Sequence, residues 1–239
     1  HTFNVEPGSG TTIMAYAGIT GPDDLQLHGD PYFHYYSIKN ITDFVSTIDC
    51  GETETLTAAS FSVDAGPDYF IPTGTPYELS ISPLEGDDIT YTWEQLDNGQ
   101  VTSDGFGPNN PSGGMARSLP PKAEACRSIP NLGSVLANNL TQENPTVGDS
   151  WETVSLVERN LMWGLSVRKS MGDYVQTAQD SMKVSVIANS SPFTVSSQNS
   201  NSLVWKGVSY QTIVWSVAET NLEPINVTEV EISLLTDDG

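Results

Sequence analysis

Residues 89–96 read ITYTWEQL. Ile89, Tyr91 and Trp93 alternate with Thr90, Thr92 and Glu94. A period of two sends apolar side chains to one face of an extended strand and polar ones to the other, as in a half-buried β-strand. The same alternation returns in YELSIS (77–82), LMWGLSVRKS (161–170) and DSMKVSVIA (180–188). Several such strands predict a mainly β fold, with an Ig-like β-sandwich over 61–190 and Trp93 between its sheets. A sugar-stacking platform is the alternative use of such a Trp.

Between these strands, residues 97–133 break the pattern. The stretch is rich in Gly, Pro and Asn and too long for a plain turn, so it reads as a long inserted loop. It carries Arg117, Lys122 and Arg127, which make either a contact surface or a cover over an open end of the sandwich. SVLANNL (134–140) is expected to form a short helix. Beyond 191, SPFTVSS (191–197), TIVWSVAE (212–219) and VEISLLT (230–236) restart the alternation, with Trp215 on the apolar face. About four strands are too few for two packed sheets, which usually need about seven. Residues 191–239 therefore read as a partial second β-sandwich, and the chain is expected to end mid-domain.

The first 50 residues differ in character. They hold all 3 His, namely His1, His28 and His34, and the aromatic run PYFHYYSI (31–38). Within 34–48, Tyr35, Ile38, Ile41 or Thr42, and Val45 recur at helical spacing, with Phe44 and Ile48 extending the stripe, which predicts a short helix. Residues 51–60 are small and polar, and read as a linker.

Composition narrows the function. Against 30 acidic side chains stand 9 basic ones, a formal net charge of −21. Phosphate binding needs cationic surface to displace counterions, so nucleic acid is excluded as a partner, as is an anionic membrane surface. No apolar run is long enough to cross a bilayer, so no membrane insertion is expected. The 2 Cys, Cys50 and Cys126, lack CxxC spacing, which removes thiolate-zinc and thioredoxin-like sites. A single disulfide and two free buried thiols both stay open. Sequons at Asn40, Asn139, Asn189 and Asn226 carry little weight in a chain rich in Asn, Ser and Thr.

The stretch GTTIMAYAGITG (10–21) follows the opening HTFN. A Met in a Gly-flanked turn shortly after a His is similar to the Met-turn of metzincin metalloproteases, whose zinc motif is HExxHxxGxxH. TIMAYAGITGPDDLQLHGDPYFHYYSI (12–38) resembles the reprolysin-like branch of secreted bacterial proteases. AGPDYFIPTGTPYELSISPLEGDDITYTWEQLDNG (65–99) resembles the Ig-like module that follows them, and SVLANNLT and the stretch from 212 to the end resemble the region beyond. HExxH itself is absent from the chain. By this resemblance residues 1–50 are the C-terminal part of a metzincin catalytic domain, linked through 51–60 to the accessory domains of a secreted zinc endopeptidase. The isolated chain is then expected to be inactive. Thr20 stands where family members often carry Cys, which leaves Cys50 without a local partner.

The resemblance implies a role for each residue. His1 is the third zinc ligand. Met14 supports the ligands by packing beneath them, which predicts its burial. Tyr16 donates to the oxyanion of the tetrahedral intermediate. Ala17, Gly18 and Ile19 form the wall of the pocket for the substrate side chain just past the scissile bond. The substrate is a protein or peptide. His28 and His34, six apart and off one helical face, read as structural or surface residues. Calcium is a second candidate cofactor, with Glu85, Asp87 and Asp88 as ligands and Asp64 and Asp68 as contributors. Calcium takes about six to eight oxygens, more than this turn supplies, and a solvated acidic turn is the competing reading. Two other functions compete with the protease: a non-catalytic extracellular Ig-like binding or adhesion module, and a copper enzyme chelating metal through an N-terminal His1.

Overall fold

Every alternating segment between 69 and 187 forms a strand in the computed structural model, which describes residues 3–52, 54, 61–188, 191–200 and 202–233. The protein is mainly β. In chain order the strands are β1 (Tyr69–Pro72), β2 (Tyr77–Ser80), β3 (Ile89–Gln95), β4 (Cys126–Ile129), β5 (Arg159–Ser170) and β6 (Val175–Ile187). A 4-stranded sheet runs β1-β6-β5-β3, antiparallel except that β1 lies parallel to β6. β2 and β4 pair antiparallel as a separate sheet. Leu79 and Ile129 from this pair share one core with Tyr91, Trp93, Trp163, Leu165, Met182 and Val184 of the larger sheet. The indole N–H of Trp93 donates to the Ala125 carbonyl at 3.1 Å, so its one polar atom is satisfied inside the core.

The polar side of β3 departs from the alternation reading. Thr92 and Glu94 point away from the core, yet both are buried. Helix α1 (Tyr35–Val45) and the segment leading into it lie on that face. Three side chains of the sheet take up the backbone polar atoms there. Glu94 accepts from the Tyr35 N–H at 2.7 Å, Arg168 donates to the Phe33 carbonyl at 2.8 Å, and Gln179 donates to the Tyr35 carbonyl at 3.0 Å. Gly164 on β5 makes room, since a Cβ there would sit 2.6 Å from the Tyr35 ring.

Residues 97–133 are no mere insertion. They supply β4 and the buried core residues Met115, Ala116 and Ala125. Arg127 is turned inward and forms no contact surface. It pairs with Glu152 at 2.8 Å and donates to the Trp93 carbonyl at 2.5 Å, and both charged side chains are buried. Arg117 bonds Gln26. The short helix expected at 134–140 starts earlier, as α2 (Leu132–Leu136), because the Asn131 side chain caps it by accepting from the Ser134 N–H. A second small core joins Leu25 to Val101, Phe106 and Trp151, so the first 50 residues and the 97–151 region are packed together.

The strand series expected after 191 is largely absent from the described residues. It reduces to a ladder of two residues per strand, β7 (Thr194–Val195) with β8 (Trp215–Ser216). Trp215 is half-buried, and Val204, Val208 and Tyr210 are exposed. Among the described residues, burial in this region is confined to Ala218 and Thr220, while Phe193, Ile225, Val227 and Val230 share an apolar cavity with β1, β2 and Val184 of β6. The last residues of the predicted strand at 230–236 lie outside the described residues. Of the two readings left open for the cysteines, the structure shows no disulfide: both are free, with Cys50 exposed and Cys126 half-buried, so neither is the fully buried thiol the other reading described.

Candidate functional site

A groove of about 400 Å³ opens between the first described residues and the turn that follows them. Phe3, Asn4, Glu6, Met14, Tyr16, His34 and Tyr36 lie along it. The Phe3 and Tyr36 rings stack at 4.4 Å between centroids. His1 lies outside the described residues, two positions before Phe3.

Two carboxylates build the turn. Glu6 holds its entry: its oxygens accept from the Thr11 N–H at 2.9 Å, the Thr12 N–H at 3.3 Å and the Thr12 hydroxyl at 2.7 Å. Asp24 holds its exit: it accepts from the Gly18 N–H at 3.0 Å, the Thr20 N–H at 3.1 Å, the Thr20 hydroxyl at 2.7 Å and the Gly21 N–H at 3.1 Å. The Thr20 hydroxyl, with those amides, holds the Asp24 carboxyl below its ordinary range against the opposing effect of burial. Such turns place many backbone N–H groups where no strand or helix can satisfy them, and a carboxylate can accept several at once.

The backbone of the turn is secured and its apolar side chains are not. Met14 is 65% exposed, which overturns the expectation that it is buried. Its neighbours Thr11 and Thr12 take the inward positions, at 0% and 2% exposure, and Met14 is left pointing outward. Tyr16, Gly18 and Ile19 are exposed as well, and Ala17 is half-buried. The apolar stripe of α1 behaves in the same way: Ile41, Phe44, Val45 and Ile48 are all exposed, and only its first turn is docked.

His34 is buried and structural, as expected from the sequence. Its Nδ1 caps α1 by accepting from the Tyr36 N–H at 3.2 Å, which places the ring proton on Nε2, 3.9 Å from the Glu94 carboxylate. His28 is exposed. Glu85, Asp87 and Asp88 lie exposed on the turn before β3, and Asp68 is paired with Lys183 at 3.2 Å. Among the described residues no group of three or more His, Cys, Asp or Glu side chains is placed to hold a metal, and no helix is long and apolar enough to cross a membrane.

Sequence reasoning missed Glu6, Asp24 and Glu94. The only local signal is the run TGPDD (20–24), where Pro22 opens a short 3-10 turn and an acidic side chain follows. No family model, curated protein or solved structure matches this chain.

Proposed function

We propose that this chain is the part of a secreted zinc metalloendopeptidase that begins at the third zinc ligand and continues into its accessory β-domains. The observation that carries the reading is the one-sided burial of the first 50 residues. Their polar backbone is fastened to the β-body by Glu6, Asp24, Glu94, Arg168 and Gln179, while Met14, Tyr16, Ile19 and the apolar stripe of α1 stay uncovered. Met14 and Tyr16 lie along the groove, and contiguous exposed apolar surface beside a groove is a feature of docking and binding faces. A preceding HExxH helix is the body that would cover it.

The described residues offer no zinc site, and His1, the ligand that the resemblance implies, lies outside them. His34 has one ring nitrogen committed to the helix cap and the other facing Glu94, so it offers no lone pair to a metal. This chain then contributes His1, and the preceding segment contributes two ligands and the general base. Zinc held by such a set would supply a water ionising at about pH 7 and a Lewis acid for the scissile carbonyl. Met14, exposed on this chain, would pack beneath the ligands only where the preceding helix covers it. Tyr16, on the groove, would donate a hydrogen bond to the developing oxyanion, and Ala17, Gly18 and Ile19, which follow it in the turn but lie outside the groove's lining, would form the wall of the pocket beyond the scissile bond. The chain alone has no peptidase activity.

The test is a chain extended upstream by its own coding sequence. In it His1→Ala abolishes zinc retention and peptide hydrolysis. Tyr16→Phe keeps the zinc and lowers kcat by roughly 10²–10³ with little change in KM, since one oxyanion donor is lost. Full zinc content and full activity in His1→Ala would sink the reading, and leave the non-catalytic binding module in its place.

A further inference from the structure

The two sheets of the β-body leave an opening along one edge. β1 ends the 4-stranded sheet and pairs only with β6, and β2 pairs only with β4. Residues of both line an apolar cavity of about 350 Å³, bounded in part by the segment beyond 191. Tyr69, Phe70 and Tyr77 stand on the strand side, and Phe193, Val227 and Val230 on the other. Tyr69, Phe70, Val227 and Val230 are all exposed, so the cavity opens to water. The backbone beside it is open as well. The Thr73 N–H donates to the Ile187 carbonyl at 3.0 Å, and alternate residues of a strand direct their N–H and C=O to opposite sides, so Phe70 turns both away from β6. Among the described residues no group takes up the Phe70 N–H. Pro72, the next residue facing outward, has no N–H to offer, which keeps this edge from growing into a long ladder.

The charge around this cavity has one sign. Glu78 lines it, Glu219 precedes the lining residue Thr220, and Glu229 and Glu231 flank Val230. All four are exposed, and none is in an ion pair among the described residues. No cationic side chain lines the cavity, and no Lys or Arg follows Lys206 in the chain. Lys183, which precedes Val184 of the lining, is already paired with Asp68 at 3.2 Å. An anionic partner is repelled here, and so is a second copy of this chain, whose net charge is −21. A cationic partner gains attraction at the rim and apolar burial in the cavity, two contributions that a neutral apolar molecule cannot combine.

We infer that this open edge is a docking site for an extended peptide in which apolar and basic residues alternate. A period of two sends the apolar side chains into the cavity and the basic ones outward, toward the rim that carries Glu78, Glu219, Glu229 and Glu231. The peptide backbone adds to β1 at Phe70, as strand addition does at an exposed sheet edge. The site needs neither zinc nor anything preceding His1, so it stands or falls apart from the protease reading.

The test uses the chain as it stands and a short fluorescent peptide alternating Val and Lys, with anisotropy as the readout. Two counterparts accompany it, one with Ser in place of Val and one with Glu in place of Lys. The Val–Lys peptide is expected to bind, and each counterpart at least about tenfold more weakly, since one loses apolar burial and the other meets like charge. Glu78→Gln, Glu229→Gln and Glu231→Gln combined should weaken the Val–Lys peptide about threefold or more and flatten its dependence on salt. Val227→Ser with Val230→Ser, at exposed positions outside the core, should weaken it at least about tenfold and leave the salt dependence as it was. In the unaltered chain, amide exchange at Phe70 is expected to slow at least about tenfold when the peptide is bound. Absence of binding, or equal binding of the Ser-for-Val peptide, overturns the inference, the second because charge alone would then account for the attraction. Equal binding of the Glu-for-Lys peptide removes the cationic partner and overturns it too. Binding that leaves Phe70 exchange unchanged, or that survives the two Val substitutions, places the peptide elsewhere and is equally fatal.

Discussion

Two stretches of this chain carry almost the same pattern and meet opposite fates. ITYTWEQL (89–96) and TIVWSVAE (212–219) both alternate, and both place a Trp on the apolar face. Trp93 is 3% exposed in a 7-residue strand, whereas Trp215 is half-buried in a strand of 2 residues. Alternation states only which side chains could be buried together. β3 has β5 as a neighbour, the β2–β4 pair in front, and α1 behind. Residues 212–219 pair only with the short β7, and Ala218 alone among them is buried. The facing layer, not the pattern, makes the strand.

The sharpest break in that comparison is truncation of the two Trp. Trp93→Ala should cost about 3–5 kcal/mol, as large core cavities do. Trp215→Ala should cost under about 1 kcal/mol, because no packed layer collapses. Urea denaturation of both variants measures this, and equal losses would erase the distinction. Next comes the layer that covers Trp93. Glu152→Ala leaves Arg127 buried without its partner, and breaking a buried pair in this way costs about 3 kcal/mol or more. Trp93 fluorescence should then become accessible to a quencher, approaching that expected of the half-buried Trp215. A smaller effect is expected from Gly164→Ala on the opposite face. The added Cβ pushes against the Tyr35 ring and costs about 1–3 kcal/mol by overpacking, read as an earlier thermal transition. Trp93 should stay shielded in this variant.

The smallest effect is local and set by pH. The Asp24 carboxyl titrates below its ordinary value, so the folded state holds that proton more weakly than the unfolded chain does. Its contribution is fully present above the ordinary carboxylate range and is lost as pH falls through the lowered value. Amide exchange at Gly18, Thr20 and Gly21, compared with β3 amides, should show the loop loosening first on acidification. Simultaneous loosening of β3 would count against a separate role for Asp24.

What the sequence discloses follows from the same physics. β3, β5 and β6 were legible because long strands repeat their pattern enough times to be counted. α1 was legible from its apolar spacing, though that spacing did not reveal that the stripe is uncovered. β4 was hidden: CRSI (126–129) is short, stands in Gly- and Pro-rich surroundings, and turns an Arg into the core. Glu94 was assigned to a polar face and not to a buried one, because only the three-dimensional path of 32–35 covers it. Asp24 and Glu6 bind backbone amides of a nearby turn, an interaction with no periodicity to detect. Met14 and Tyr16 were singled out in the sequence and line the groove, but the groove itself and the carboxylates that shape it were not legible there.

The parallel pairing of β1 with β6 also governs how the protein comes into being. Tyr69–Pro72 waits for Val184–Ile187, and nearly every other element of the body lies between them in the chain. During synthesis β1 leaves the ribosome with no partner, and its Tyr69 and Phe70 remain available to any other strand. Pairings so distant in sequence form slowly, since the intervening loop must close first. The last strand of the 4-stranded sheet to be made thus completes the first, and a nascent chain stalled before residue 184 presents an open edge that invites aggregation.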